Sequence, residues 1–306
     1  WFTCNNLPNI NRINLTYSLT STGTVRSEYT IVRKNENEFY LISAGALTDY
    51  DKDYLIKKAQ DKEKEFGYIE IQDVTSQFGT FAIAGPKSKE LLISLTNSEN
   101  PEQLFSNENF PWLSSKEIEI NMIPTLAIRV AYTGELGWEL HYPVEFQNKL
   151  LDLLLLSGKN FDLKLVGSRA QNWLRQEKSY RAFGNELGRD ACLVEAGLEK
   201  FINFNKEFLG KDALQKRNVK SKCVTLLIDG PKDCDPWGRE AIYKDDKTIG
   251  RLTSGGYSVF FEKSIGMGYV DKVYANIGEK LKVKMLNQLW PATIVEDSPY
   301  DQNNSK

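Results

Sequence analysis

Three stretches of this 306-residue sequence carry residue types and spacings that could do chemistry. The first is Tyr132-Thr133-Gly134-Glu135-Leu136-Gly137-Trp138-Glu139. Its two glycines bracket a turn between strands, and Glu139 enters the returning strand beside Trp138. A carboxylate next to an aromatic platform suits a flat heterocycle with an amidine-like edge. Two adjacent N–H donors, as on a pterin, can both be accepted by one carboxylate, and charge-assisted pairing of that kind is strong. The plain alternative is a hairpin carrying a solvated Glu. The second stretch runs from Ser168 to Arg181, where Arg169, Trp173, Glu177 and Arg181 recur at i, i+4 on one helix face. Glu177 can pair with Arg181 there for a few tenths of a kcal/mol. Arg175 lies on another face. It belongs either to a solvated, salt-bridged helix or to a site that offers its guanidinium to an anion or carbonyl. The third is Asp49-Tyr50-Asp51-Lys52-Asp53, three carboxylates crowding one helix start. Helix N-termini favour anions, which alone accounts for them; alternatively, one faces a cleft and holds a cationic substrate or reacting amine. Asp49 is expected to cap the helix. Asp53 points about 200° round the helix from Asp51, so the two cannot share a cleft.

Other chemistries find less support. Cys4, Cys192, Cys223 and Cys234 are far apart and, with the single His141, give no zinc or iron–sulfur spacing, so no metal is expected. Paired disulfides are unsupported, and a reducing compartment is the plain reading. His141, in Glu-Leu-His-Tyr-Pro, reads as a structural residue at a strand end. Ser254-Gly255-Gly256 and Gly266-Met267-Gly268 are glycine-rich, but no GxGxxG opens a helix and no GxxxxGK[ST] occurs, so these residues are expected to bind no flavin or nucleotide phosphates. The longest apolar run, Leu150 to Leu156, is short and carries Asp152, well below the ~20 residues of a membrane span. A net charge of −2 points away from nucleic acid as a partner.

These residues need elements to hold them. Glu28 to Arg33 alternates polar and apolar residues and pairs as a hairpin with Phe39 to Ser43. Asp49 to Phe66 reads as a surface helix. Strands are expected over Tyr68 to Val74, Thr80 to Ala84, Glu117 to Ile123, Thr125 to Tyr132 and Trp138 to Tyr142. Helices are expected after Pro86, over Phe146 to Leu156, and from Ser168 to Ala182 with Ser168 as N-cap. After Val219 the texture changes to six short strands, which read as a small all-β barrel. Pro291 should mark a strand start or an edge. The division expected is 1–219 for an α+β domain, 220–300 for the barrel and 301–306 for a frayed polar tail. Trp1-Phe2-Thr3-Cys4 reads as mid-domain sequence, so an N-terminal part is expected to be missing.

Taken in order, the segments resemble a known family. They are Asn14 to Tyr17, Ser43 to Ala46, Tyr132 to Glu139, Gly167 to Gly184, Phe208 to Leu214, Gly250 to Ser258 and Gly266 to Val270. The chain resembles the tetrahydrofolate-binding half of dimethylglycine and sarcosine dehydrogenases and, more distantly, the glycine cleavage T-protein, an aminomethyltransferase. The resemblance implies a three-subdomain α+β module around a folate cleft, with a C-terminal β-barrel. It implies Asp51 as the catalytic carboxylate, with Asp53 or Asp49 as alternatives, Glu139 on the pterin edge, and Arg175 and Tyr132 at the pocket. It implies tetrahydrofolate as cofactor, an N-methyl amine as substrate, 5,10-methylenetetrahydrofolate as product, and FAD only in a missing N-terminal domain or partner subunit. The location implied is cytoplasmic, or the mitochondrial matrix in a eukaryote. Rival readings are a stand-alone aminomethyltransferase, a folate-dependent demethylase, or a non-catalytic folate-binding protein of iron–sulfur assembly. The last carries a cysteine motif where this chain reads Lys206-Glu207-Phe208-Leu209-Gly210-Lys211-Asp212.

Overall fold

The computed structural model describes residues 2–231 and 234–303. Trp1 and residues 304–306 of the expected tail lie outside them. The first sheet runs β1-β2-β3, from β1 (Ile13–Leu19), β2 (Val25–Arg33) and β3 (Phe39–Ile42), all antiparallel. Helix α1 (Thr48–Phe66) follows. The second sheet has the order β4-β7-β6-β5, from β4 (Phe78–Ala84), β5 (Ser115–Ile120), β6 (Ile123–Ile128) and β7 (Gly137–Pro143). Asn121 and Met122, both at positive φ, make the two-residue turn between β5 and β6, the backbone that matches strand twist in a hairpin.

Helices α2 (Ser88–Leu95), α3 (Pro101–Leu104) and α4 (Gln147–Gly158) cover the outer face of the second sheet. Leu91, Leu92, Leu150 and Leu154 pack there against Trp138, Leu140 and Tyr142 of β7. The inner face turns toward the first sheet: Ile128 clusters with Ile13, Val32, Tyr40 and Ile42. Helix α5 (Ser168–Glu177) lies on the barrel, and the short α6 (Lys211–Gln215) precedes it. The barrel is closed, in the order β10-β11-β8-β13-β12-β9. Its strands are β8 (Ser221–Ile228), β9 (Ala241–Lys244), β10 (Lys247–Ser258), β11 (Lys263–Asp271), β12 (Lys280–Met285) and β13 (Gln288–Val295). Gly256 lets α5 dock on it, since a Cβ there would sit 2.1 Å from Trp173 Cδ1.

Several expectations fail for identifiable reasons. Residues 67–77 form no strand: alternation needs a partner edge, and this segment pairs with none among the described residues. Helix α5 stops at Glu177, and Ser179 turns left-handed (φ 53°), so Arg181 leaves the helix face. Its guanidinium bonds Asp297, while Glu177 accepts from Ser258 Oγ; the expected Glu177–Arg181 pair does not form. Helix α5 also lacks a side-chain N-cap bond, as does α1, so neither Ser168 nor Asp49 caps. Pro291 lies inside β13, where its carbonyl accepts from Asp229 N–H. The tail is packed at its start, where Asp301 O accepts from Lys178 Nζ at 2.7 Å.

Candidate functional site

The site is best built from β7 outward. Successive side chains on a strand point to opposite faces. Trp138 is therefore buried in the outer core, 5.7 Å from the ring of Phe105, and Glu139 points to the inner face. The aromatic platform expected beside the carboxylate is a core residue instead. Gly134 (φ 79°) makes the turn before β7, in a backbone region that suits glycine, and a Cβ there would lie 2.1 Å from Lys178 Cγ.

On the inner face Glu139 and His141 stand together. His141 is buried, with Nδ1 3.2 Å from Thr80 Oγ1 and 3.3 Å from the hydroxyl of Tyr40. Its Nε2 has no hydrogen-bond partner among the described residues and lies 3.6 Å from Glu139 Oε2. The Glu139 side chain keeps 30% of its surface, and among the described residues the His141 ring is its only basic neighbour within ion-pair distance. Glu139 thus offers a carboxylate with open acceptor positions on the inner face of this sheet. Burial, and then the Glu139 charge, push the Tyr40 phenol above its usual range.

On the first sheet, Glu28 of β2 stands directly opposite Tyr17 of β1, on the face that carries Ile13 and Val32. That is the face turned to Ile128, the partner of Glu139 in the β6–β7 ladder. Burial raises the Glu28 carboxyl from its ordinary 4.5 to about 7; the Tyr17 hydroxyl bonded to it pulls the other way. Glu28 has no ion pair among the described residues. Sequence reading missed it, because a Glu in an alternating strand looks like a solvent-facing residue. The signal available was Tyr17 across the hairpin.

Tyr132 lies beyond the end of β6. Its ring stacks on Tyr180 with centroids 6.0 Å apart, and its hydroxyl donates to Arg181 O at 3.3 Å. Burial raises its phenol; the nearby Arg175 guanidinium lowers it, and Glu28 and Glu186 raise it again. Tyr132 is thus within electrostatic reach of both Arg175 and Glu28. Arg175 is only 1% exposed. Its Nη1 donates to Glu186 Oε2 (2.9 Å) and Tyr180 O (2.8 Å), its Nη2 to Ser254 Oγ (2.6 Å), and its Nε to Asn172 Oδ1 (3.0 Å). It ties α5, the 179–187 loop and β10 into one unit behind Tyr132.

Of the three acids at the start of α1, only Asp51 is buried, at 3% exposure. Its Oδ1 accepts from Arg26 Nη1 (3.0 Å) and Tyr29 OH (3.0 Å), and its Oδ2 from Ser27 Oγ (2.7 Å). Ser27 and Tyr29 alternate with Glu28, so Asp51 and Glu28 meet opposite faces of β2. Asp51 reaches one wall of a cavity of about 1700 Å³ that wraps the β3 edge to His141 and Thr80. No helix among the described residues is long and apolar enough to cross a membrane.

Comparison with known proteins gives the following. Residues 1–206 match the GCVT N-terminal domain family, and residues 222–301 match the glycine cleavage T-protein C-terminal barrel domain family. The chain is 34% identical over 301 residues to human mitochondrial dimethylglycine dehydrogenase, covering 96% of this chain and 33% of that protein. It thus spans about a third of the length of the dehydrogenases it matches. It is 33% identical over 302 residues to an aminomethyltransferase of Caldanaerobacter subterraneus, covering 97% of this chain and 77% of that one. The crystal structure of aminomethyltransferase T of the glycine cleavage system from Bartonella henselae superposes with a TM-score of 0.80 at 20% identity, over 97% of this chain and 78% of that one. That likeness establishes the aminomethyltransferase fold.

Proposed function

We propose, from the premise that this chain belongs to the glycine cleavage T-protein family of aminomethyltransferases, that it binds reduced folate between its two sheets and transfers a one-carbon unit to it, giving 5,10-methylenetetrahydrofolate. The observation that carries this reading is a pair of carboxylates, Glu139 and Glu28, on the two facing inner surfaces, one with open acceptor positions and the other with a carboxyl raised to about 7. The residues fit a pterin: the half-buried Glu139 carboxylate and the buried, unpartnered His141 Nε2 form a polar corner that two adjacent N–H donors would complete. Bound folate would supply secondary amine nitrogens that capture an electrophilic one-carbon unit.

The chain's own residues would do the rest. Glu139 orients the pterin. Glu28, ionising near neutral pH, would accept the proton released as one folate nitrogen bonds to the iminium carbon and return it to the departing amine nitrogen as the second folate nitrogen closes on that carbon; general-base help of this kind contributes about 10²–10⁴-fold. This assigns to Glu28 the role the sequence suggested for Asp51. Asp51 acts as a positioning group that fixes Arg26 and the back of β2. Tyr132 lines the pocket, and Arg175 acts through Tyr132 and the loop it anchors. Proximity of the reactants adds to the rate without any metal step being invoked.

The one-carbon donor proposed is the iminium of an N-methyl amine, dimethylglycine or sarcosine, delivered by a flavin domain or subunit; similarity to dimethylglycine dehydrogenase supports this. A stand-alone aminomethyltransferase is the second reading, favoured by the match over 77% of the Caldanaerobacter enzyme. The test is calorimetric titration with tetrahydrofolate. Glu139→Ala should weaken binding by on the order of 2–4 kcal/mol, since it strands pterin donors in a buried site. Unchanged affinity in that variant contradicts the assignment.

A further inference from the structure

A second cavity, of about 810 Å³, opens along the 183–190 loop. Four arginines from four separate elements line it: Arg26 of β2, Arg189 of the loop, Arg239 in the turn before β9, and Arg251 of β10. Leu187 and Thr253 form the wall that backs onto Glu186, whose Oε1 accepts from Thr253 Oγ1 at 2.7 Å. The floor is built. Arg26 is more than nine-tenths buried, with its guanidinium carbon 3.8 Å and 3.7 Å from the ring centres of Tyr50 and Tyr54. Asp51 neutralises it from behind.

The rim is not neutralised in the same way. Arg189 stands 5.2 Å from the Tyr50 ring centre and donates to its hydroxyl, a neutral partner. Arg239 has no carboxylate within ion-pair distance among the described residues. It is held by a left-handed backbone (φ 80°), and its N–H donates to Leu252 O at 2.8 Å. Arg251 meets Asp190 at 3.8 Å, with both side chains more than half exposed, where such a contact is weak. Asp190 is the one carboxylate in the wall. Like charges gathered in a concave surface repel one another and focus a positive field into it. Guanidinium forks match the paired oxygens of carboxylate and phosphate groups.

We propose that this cavity is a binding site for a multiply charged anion, held by Arg189, Arg239 and Arg251 over the Arg26 floor. The site does not rest on the folate reading: it adjoins the residues of that reading only at Glu186 and at the Arg26–Asp51 pair. Its ligand carries at least two anionic groups, because the three rim arginines approach from separate elements and one monovalent ion cannot engage them together.

The test is calorimetric titration of the full chain with pyrophosphate and with tricarballylate, using acetate as the singly charged comparison. The expected result is saturable binding of at least one multiply charged probe, about tenfold or more tighter than acetate and weakened by added salt. Each of Arg189→Gln, Arg239→Gln and Arg251→Gln should weaken it by about tenfold, the loss of one charge-assisted contact. The stronger of the two probes identifies phosphate or carboxylate as the preferred chemistry. The three side chains are exposed, so unchanged thermal melting curves show that the variants fold. Absence of binding by both probes, or binding that the three variants leave unchanged, overturns the proposal.

Discussion

The two faces of β2 place two carboxylates in opposite situations. On one face Asp51 meets a guanidinium and two hydroxyls, and every contact fixes the carboxyl group in place. On the other face Glu28 has a phenol and little solvent, and its carboxyl rises to about 7. Residue type would rank the two acids alike. Partner supply separates them: an acid with an arginine partner stabilises the fold, while an acid without one is poised to exchange a proton at neutral pH.

The largest effect should come from breaking the structural side. Asp51→Ala leaves the buried Arg26 without its counter-charge and should destabilise the fold by about 3–5 kcal/mol, measured by denaturant unfolding. A loss below about 1 kcal/mol would mean that Arg26 finds another partner, and the contrast between the faces would fail.

The next effect is smaller and of opposite sign. Because the folded-state value of Glu28 lies above its unfolded one, the folded protein holds that proton more tightly. Stability contributed by Glu28 is present below about 4.5 and declines as pH rises through about 7. Glu28→Gln removes the decline, so the variant should be more stable than the parent by about 2–3 kcal/mol at pH 8 and nearly equal to it at pH 4. Parallel stability curves across that range would show that the Glu28 carboxyl is not perturbed.

A third change sharpens the comparison. Tyr17 donates to Glu28 and lowers its carboxyl against the larger effect of burial. Tyr17→Phe should move the pH midpoint of one-carbon transfer upward by about half a unit to one unit. A downward movement would mean that the hydroxyl favours the protonated acid.

The barrel was legible because its strands are short, frequent and separated by turns, and α1 because its charged run begins sharply after Ser43-Ala44-Gly45-Ala46. The place of Glu139 in the strand after a glycine-bracketed turn was legible. Trp138 was misread although the period of two already sends adjacent strand residues to opposite faces. Arg175 could be placed on its own helix face, but its partners, Glu186 and Ser254, come from a loop and a strand that only the tertiary fold brings near. Glu28 escaped for a related reason. β2 is covered on both sides, as buried Ser27, Tyr29 and Val32 show, and alternation reports a solvent face only where one exists.

The central claim is that Glu28, rather than Asp51, accepts the proton during one-carbon transfer. Its most direct test is the rate of methylenetetrahydrofolate formation from formaldehyde and tetrahydrofolate, measured for Glu28→Gln and Asp51→Asn at saturating folate. The account predicts at least about 10²-fold slower transfer for Glu28→Gln with near-parental folate affinity, and a much smaller loss for any Asp51→Asn protein that remains folded. Parental transfer by Glu28→Gln, with Asp51→Asn folded and inactive, would contradict it and return the catalytic role to Asp51.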